Sequence, residues 1–172
     1  NGQGESVEYN KKFELLFKSL LGTLVHQYYE QGLFNPDKKN VEIKLIESGI
    51  SPNDLDQYAQ YVIKLLDSTK QDSQFEWLFK QRESTLVEAE FVNGDTVIAI
   101  DRLFIDDDVL WIIDFKTASL LDDESESEFV QRQKSEHTKQ LLFYQEVLSK
   151  IYPNNIKCAL YCPAVQKIIE IR

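Results

Sequence analysis

The stretch from Thr85 to Thr117 constrains the fold most. Three runs rich in β-branched and aromatic residues, Thr85–Val92, Thr96–Ile105 and Val109–Thr117, are separated by short turn signals. Asn93-Gly94 is a two-residue hairpin signal, and Asp106-Asp107-Asp108 turns the second run into the third. The pattern predicts a three-stranded antiparallel meander, against which the rest of the chain must pack.

The charged residues inside these runs are the next clue, because strands this apolar must compensate a buried charge. If Asp106 pairs with Val109 around a two-residue turn, opposed residue numbers add to 215 and Asp101 faces Asp114. A four-residue loop keeps that register; a three-residue loop does not. Side chains opposed in this way have Cβ atoms about 4.5–5.5 Å apart. Lys116, two residues beyond Asp114, shares their face. The Asn-Gly turn predicts Val92 opposite Asp95, numbers adding to 187, which sets Glu88 opposite Ala99 and brings Glu88 and Glu90 to that face.

Carboxylates converging on an apolar sheet repel one another, and some protonate unless a cation joins them. Oxygen-only ligands favour a hard ion, Mg²⁺ or Mn²⁺, over zinc. Such an ion lowers the pKa of a bound water and offsets charge building on a phosphate. A lysine beside it holds the attacking water or stabilises the pentacovalent transition state. The residues therefore suggest metal-assisted phosphodiester hydrolysis. An isolated Asp-x-Lys at a strand end is ordinarily a surface salt bridge, and the paired Asp101 is what sets this one apart.

Around the meander the pattern is mostly helical. Tyr9–Glu30 spaces Phe13, Leu16, Phe17, Leu20, Leu24 and Tyr28 as a helix face, and Gly32 and Pro36 break the turn after it. A short helix over 38–48 ends near Gly49, and Ser51-Pro52 predicts the start of another, running to about Ser68. Phe75–Phe79 reads as one more helical turn, anchored by Trp77. Residues 118–135 are polar and read as a mobile loop; a helix from about Glu136 to Tyr152 stops at Pro153. Asn155–Cys162 and Gln166–Ile171 are the last two strands, with Cys158 and Cys162 as apolar filler. One α/β (α+β) domain over 1–172 is expected, helical over about 9–82 and with a sheet core over about 83–172.

Composition bounds the function. The chain has 172 residues, 42% hydrophobic, which is material for a real core, and a net charge of −10. That charge argues against a protein that coats nucleic acid through a basic surface. It is also local, since residues 101–130 carry ten acidic side chains against only Arg102 and Lys116. No apolar run is long enough for a membrane span, and the N-terminus has no signal-peptide character. Two cysteines are too few for a disulfide framework or a four-cysteine iron–sulfur site, and they suggest a reducing, cytoplasmic setting. The chain has no Met, so it is expected to be a piece of a larger parent.

Asp101 followed by Ile113-Asp114-Phe115-Lys116 resembles the D…(D/E)xK core of the PD-(D/E)xK nuclease superfamily. Three further segments resemble the nuclease domain at the C-terminus of RecB and AddA helicase–nucleases. Gly22-Thr23-Leu24-Val25-His26 is similar to its G-x-x-x-H helix, Glu88-Ala89-Glu90-Phe91 to its acidic strand, and Gln140-Leu141-Leu142-Phe143-Tyr144 to its Q-x-x-x-Y helix. The resemblance spans about residues 20–150. It implies a restriction-endonuclease-like core, a central mixed β-sheet flanked by helices. It implies His26, Asp101, Asp114 and the Phe115 backbone carbonyl as metal ligands, Lys116 as the catalytic lysine, and Gln140 and Tyr144 facing the site and the DNA backbone, with Glu88 near the metal. Ala99 replaces the glycine usual two residues before the aspartate, and the family's iron–sulfur cysteines are missing.

The implied function is a Mg²⁺- or Mn²⁺-dependent, single-stranded DNA exonuclease in DNA repair and recombination, with a helicase domain in the same parent or complex and no iron–sulfur cluster or membrane. A nuclease-fold scaffold or DNA-binding domain without activity is the alternative from another class. A restriction-type endonuclease shares the core but is not expected to carry both the G-x-x-x-H and Q-x-x-x-Y helices. His137 reads as solvated.

Overall fold

The computed structural model describes residues 18–172. The chain divides between Lys70 and Gln71 into two compact units.

The first unit is helical. Helix α1 (residues 18–31) buries Leu21, Leu24, Val25, Tyr28 and Tyr29, the three-and-four spacing of one helix face. Phe13, Leu16 and Phe17 of the expected helix lie outside the described residues. Gly32 adopts φ +67°, a conformation other residues take at a cost, and ends α1. Helix α2 (Lys38–Glu47) starts at Asp37, whose side chain accepts from the Lys39 backbone N–H. Helix α3 (Leu55–Gln71) begins later than Ser51-Pro52 predicts. Ser51 instead closes a turn, its carbonyl accepting from Asp54 N–H at 3.0 Å, and Asp54 takes the first helical bond from Tyr58 at 3.2 Å.

The second unit contains short helix α4 (Phe75–Phe79), strands β1 (Leu86–Asn93), β2 (Thr96–Asp106) and β3 (Val109–Phe115), helix α5 (Glu126–Ser149), and strands β4 (Asn155–Cys162) and β5 (Lys167–Ile171). The sheet order is β1-β2-β3-β4-β5. The first three strands form the expected meander, β3 and β4 are parallel, and β5 returns antiparallel to β4. The architecture is therefore a mixed sheet with flanking helices, as expected. A parallel pair needs a crossover, and α5 provides it.

Asp107 and Asp108 both take positive φ, +48° and +63°, so the β2–β3 turn has the I′ pattern and Asp106 pairs with Val109. The first hairpin departs from expectation. Gly94, at φ +62°, occupies the first central turn position, so the tip is Gly94-Asp95 and Asn93 pairs with Thr96. That slips the register by two, which keeps faces but moves Glu88 from Ala99 to the position opposite Asp101.

Helix α5 also departs from expectation, starting ten residues before Glu136. Ser125 and Glu128 form a reciprocal capping box: Glu128 N–H donates to Ser125 Oγ at 3.1 Å, and Ser125 N–H to Glu128 Oε2 at 3.4 Å. Phe129, Gln133 and Leu141 are fully buried at four- and eight-residue steps, an inward row that the polar surroundings hide. Arg132 holds Glu124 through two 2.8 Å hydrogen bonds. The helix stops at Ser149, short of Tyr152, which donates to the Leu148 carbonyl.

One face of the sheet packs on α5 through Leu110, Ile112, Cys158, Leu160, Phe129 and Leu141. The other carries α4. Trp77 meets Phe104 and Trp111 edge-on and donates to Asp106 Oδ2 at 2.9 Å, the anchoring role expected of it. Phe79 stacks on Phe115 with ring centroids 5.6 Å apart. Among the described residues no helix is long and apolar enough to cross a membrane.

Candidate functional site

The site assembles where β3 ends. The β2–β3 register runs through Arg102–Ile113, so its next step sets Asp101 beside Asp114. The ladder opens there. Instead of a backbone pair, Asp101 Oδ2 accepts the Phe115 backbone N–H at 2.8 Å. Across β1, Val87–Arg102 and Ala89–Ile100 flank the position where Glu88 faces Asp101, and Glu88 takes φ +46°. A positive φ inside a strand is strained for glutamate, and such strain gathers at functional sites.

Alternation along the strands sorts the site from its support. Leu110 and Ile112 point to α5, so Asp114 and Lys116 point the same way. Arg102, next to Asp101, points to the other face. Its guanidinium donates to the Leu78 and Lys80 carbonyls at 2.8 and 3.2 Å, and burial lowers it to about 10. It therefore caps the end of α4 rather than neutralising Asp101.

Lys116 Nζ lies 2.9 Å from Asp114 Oδ2. That oxygen is buried and accepts no hydrogen bond, its contact with the ammonium being an ion pair. Burial, then the Asp114 charge beside it, push Asp101 up to about 8, with Glu88 adding in the same direction and the Phe115 N–H opposing. Without a metal, Asp101 therefore keeps its proton up to about pH 8 and shares it with Asp114, because the two carboxyls resist joint ionisation. Hard oxygen donors, a buried carboxylate oxygen without a hydrogen bond, and two carboxyls that resist joint ionisation fit a divalent cation.

Helix α5 supplies the wall. Tyr144 is half-buried, and burial together with the charges of Asp114 and Asp101 raises its hydroxyl, with Lys116 opposing. Gln140, one turn earlier, is exposed. His137 is not the solvated residue expected. It is half-buried, and burial followed by the Lys116 charge lowers it, against Asp114 and Glu136. Its nearest carboxylate oxygen is Glu136 Oε2 at 3.7 Å. The signal for it was available, since His137 lies four residues from Leu141 and seven from Tyr144, both on inward rows of α5.

Of the remaining predicted site residues, Phe115 ends β3 with its ring on the α4 face and its N–H on Asp101. His26 lies half-buried on α1 in the first unit. Cys162, on β4 near the site, is buried and raised to about 12 by burial and Asp114, so it is a poor nucleophile.

No curated protein matches the chain. The family model of the PD-(D/E)XK nuclease superfamily matches residues 6–167, nearly the whole sequence. With that match and the carboxylate–lysine arrangement at the end of β3, the chain belongs to the PD-(D/E)XK nuclease superfamily.

Proposed function

We propose that the chain is a Mg²⁺-dependent deoxyribonuclease domain that degrades single-stranded DNA as an exonuclease, in the manner of the RecB/AddA nucleases. The observation that carries this is the Asp101–Asp114 pair on adjacent strands with Lys116 Nζ 2.9 Å from Asp114. Three more segments, carrying Glu88, His26, and Gln140 with Tyr144, resemble those nucleases in order, which supports the narrower reading.

In this reading Asp101 and Asp114 hold the ion, with His26 and the Phe115 carbonyl completing its ligands. An ion held there would supply Lewis acidity, lowering the pKa of a bound water and offsetting charge on the scissile phosphate. Lys116 turns its ammonium to the attacking water and the phosphate oxygen. The Phe115 N–H fixes the Asp101 carboxylate, so ligand geometry is set before substrate arrives. Tyr144 and Gln140 on α5 take the DNA backbone, and Glu88 stands beside the metal.

The domain has little basic footprint, so its own affinity for DNA is low and only weakly salt-dependent. A helicase domain of the same parent or complex brings the strand, in a cytoplasmic repair and recombination setting. The test is cleavage of end-labelled single-stranded DNA with Mg²⁺. Metal-dependent loss of full-length strand supports the reading. Metal binding without any cleavage supports a scaffold instead.

A further inference from the structure

Helix α5 runs back along β4 in a regular step. Gln145 Nε2 donates to the Ile156 carbonyl at 3.2 Å, and four residues earlier on the helix the Leu141 carbonyl accepts Cys158 Sγ at 3.5 Å. Four helical residues advance about 6 Å and two strand residues about the same, so the step repeats. It sets His137 level with Leu160, whose neighbour on β3 is Asp114. It sets Gln133 level with Cys162, one residue past the Phe115–Tyr161 pair and thus level with Lys116.

Gln133 is fully buried, and neither its Oε1 nor its Nε2 has a hydrogen-bond partner. A buried amide without partners costs stability, so its place in this core needs a reason. Lys116, at the same level, has a reason to move. Its ammonium sits on Asp114 Oδ2, and Asp114 is a residue that the proposed function assigns to the ion. An ammonium and a divalent cation repel each other there. Lysine has a long flexible stem and three donors, and the acceptors at its level are on α5.

We propose that Gln133 and His137 form a second seat for the Lys116 ammonium, occupied when a divalent ion holds Asp114, from which its third N–H is left to face the attacking water. This rests on the reading of Asp114 as a ligand. Gln133 and His137 are then positioning residues, acting through Lys116. A neutral imidazole and an amide oxygen both accept from an ammonium, and the lowered basicity of His137 keeps it neutral near pH 7.

The test uses Gln133→Leu and His137→Phe, each also in a Lys116→Ala background. Calorimetry reads Mn²⁺ affinity, thermal unfolding reads the metal-free chain, and single-stranded DNA cleavage gives kcat and KM. Gln133→Leu is expected to raise the metal-free melting temperature, because it removes an unsatisfied buried amide. It is also expected to weaken Mn²⁺ binding and kcat by about tenfold, the scale of one hydrogen bond to a charged group, with KM nearly unchanged. In the Lys116→Ala background the Mn²⁺ loss should vanish. His137→Phe should weaken Mn²⁺ binding in the same lysine-dependent way, with His137→Asn restoring part of it.

A structural role moves stability and kcat together. Wild-type Mn²⁺ affinity in both variants, or a loss that persists without Lys116, overturns the second seat and leaves the nuclease reading standing. A wild-type chain that binds no Mn²⁺ overturns both.

Discussion

The carboxylate of Asp101 on β2 accepts the backbone N–H of Phe115 at 2.8 Å, across the point where the β2–β3 ladder opens. The bond ties one aspartate to the residue that follows the other. Two carboxyl groups that repel are thereby held together, with Lys116 on the second. A divalent ion relieves that arrangement, and its energetics can be tested without one.

Asp101 sits at about 8 in the fold against an ordinary 3.8. A carboxyl raised by folding favours the folded state below its ordinary value, and that advantage is lost as the pH climbs through the folded one. The window is therefore about pH 4 to about pH 8. Asp101→Asn abolishes the ionisation, so the metal-free variant should gain on wild type across it. The gap in melting temperature should widen by about 5 °C, a few kcal/mol discounted for partial exposure. Parallel pH profiles would contradict burial and Asp114 as the cause.

Glu88 stands at φ +46° opposite Asp101. Glu88→Gly should relieve backbone strain of about 1 kcal/mol, and raise the melting temperature of the metal-free chain. The same change should weaken Mn²⁺ binding if the carboxylate serves the ion. A variant that is both less stable and equally metal-binding would show that Glu88 carries neither strain nor function.

Arg102 should be intolerant of truncation. It is buried, and its guanidinium satisfies two carbonyls at the end of α4 while lying over the Phe79 ring. Arg102→Ala leaves those carbonyls unpaired and should cost about 2–4 kcal/mol in urea unfolding. A cost near zero would mean that water replaces the side chain freely.

The start of α5 offers a local test. Ser125→Ala removes the oxygen that caps Glu128 N–H and should cost about 1 kcal/mol. Denaturant unfolding checks it, and an unchanged midpoint would place the helix start elsewhere.

Much of the fold was legible because turn chemistry is local. Three consecutive aspartates predict a tight turn, and the resulting register sets Asp101 beside Asp114 before any packing is considered. Asn93-Gly94 was less informative, since Gly94 serves equally well at either central position of a turn, and only packing against β2 chooses. The register moved by two, and with it Glu88. The first ten residues of α5 were hidden because their exposed face is strongly charged while the buried row includes a glutamine. A row of Phe129, Gln133, His137 and Leu141 looks polar until a sheet lies beneath it. His137 went unrecognised for that reason. Its partners come from β3, which is distant in sequence and adjacent only through the parallel β3–β4 pairing.

The most direct test of the account is single-stranded DNA cleavage in Mg²⁺ by wild type, Asp114→Asn and Lys116→Ala, each first shown folded by circular dichroism. Wild type should cleave only with the metal. Asp114→Asn should lose Mn²⁺ binding and at least about 10³-fold in rate, and Lys116→Ala should keep the metal and lose about as much. Metal-dependent cleavage that survives both substitutions would contradict the assignment of the site to the end of β3.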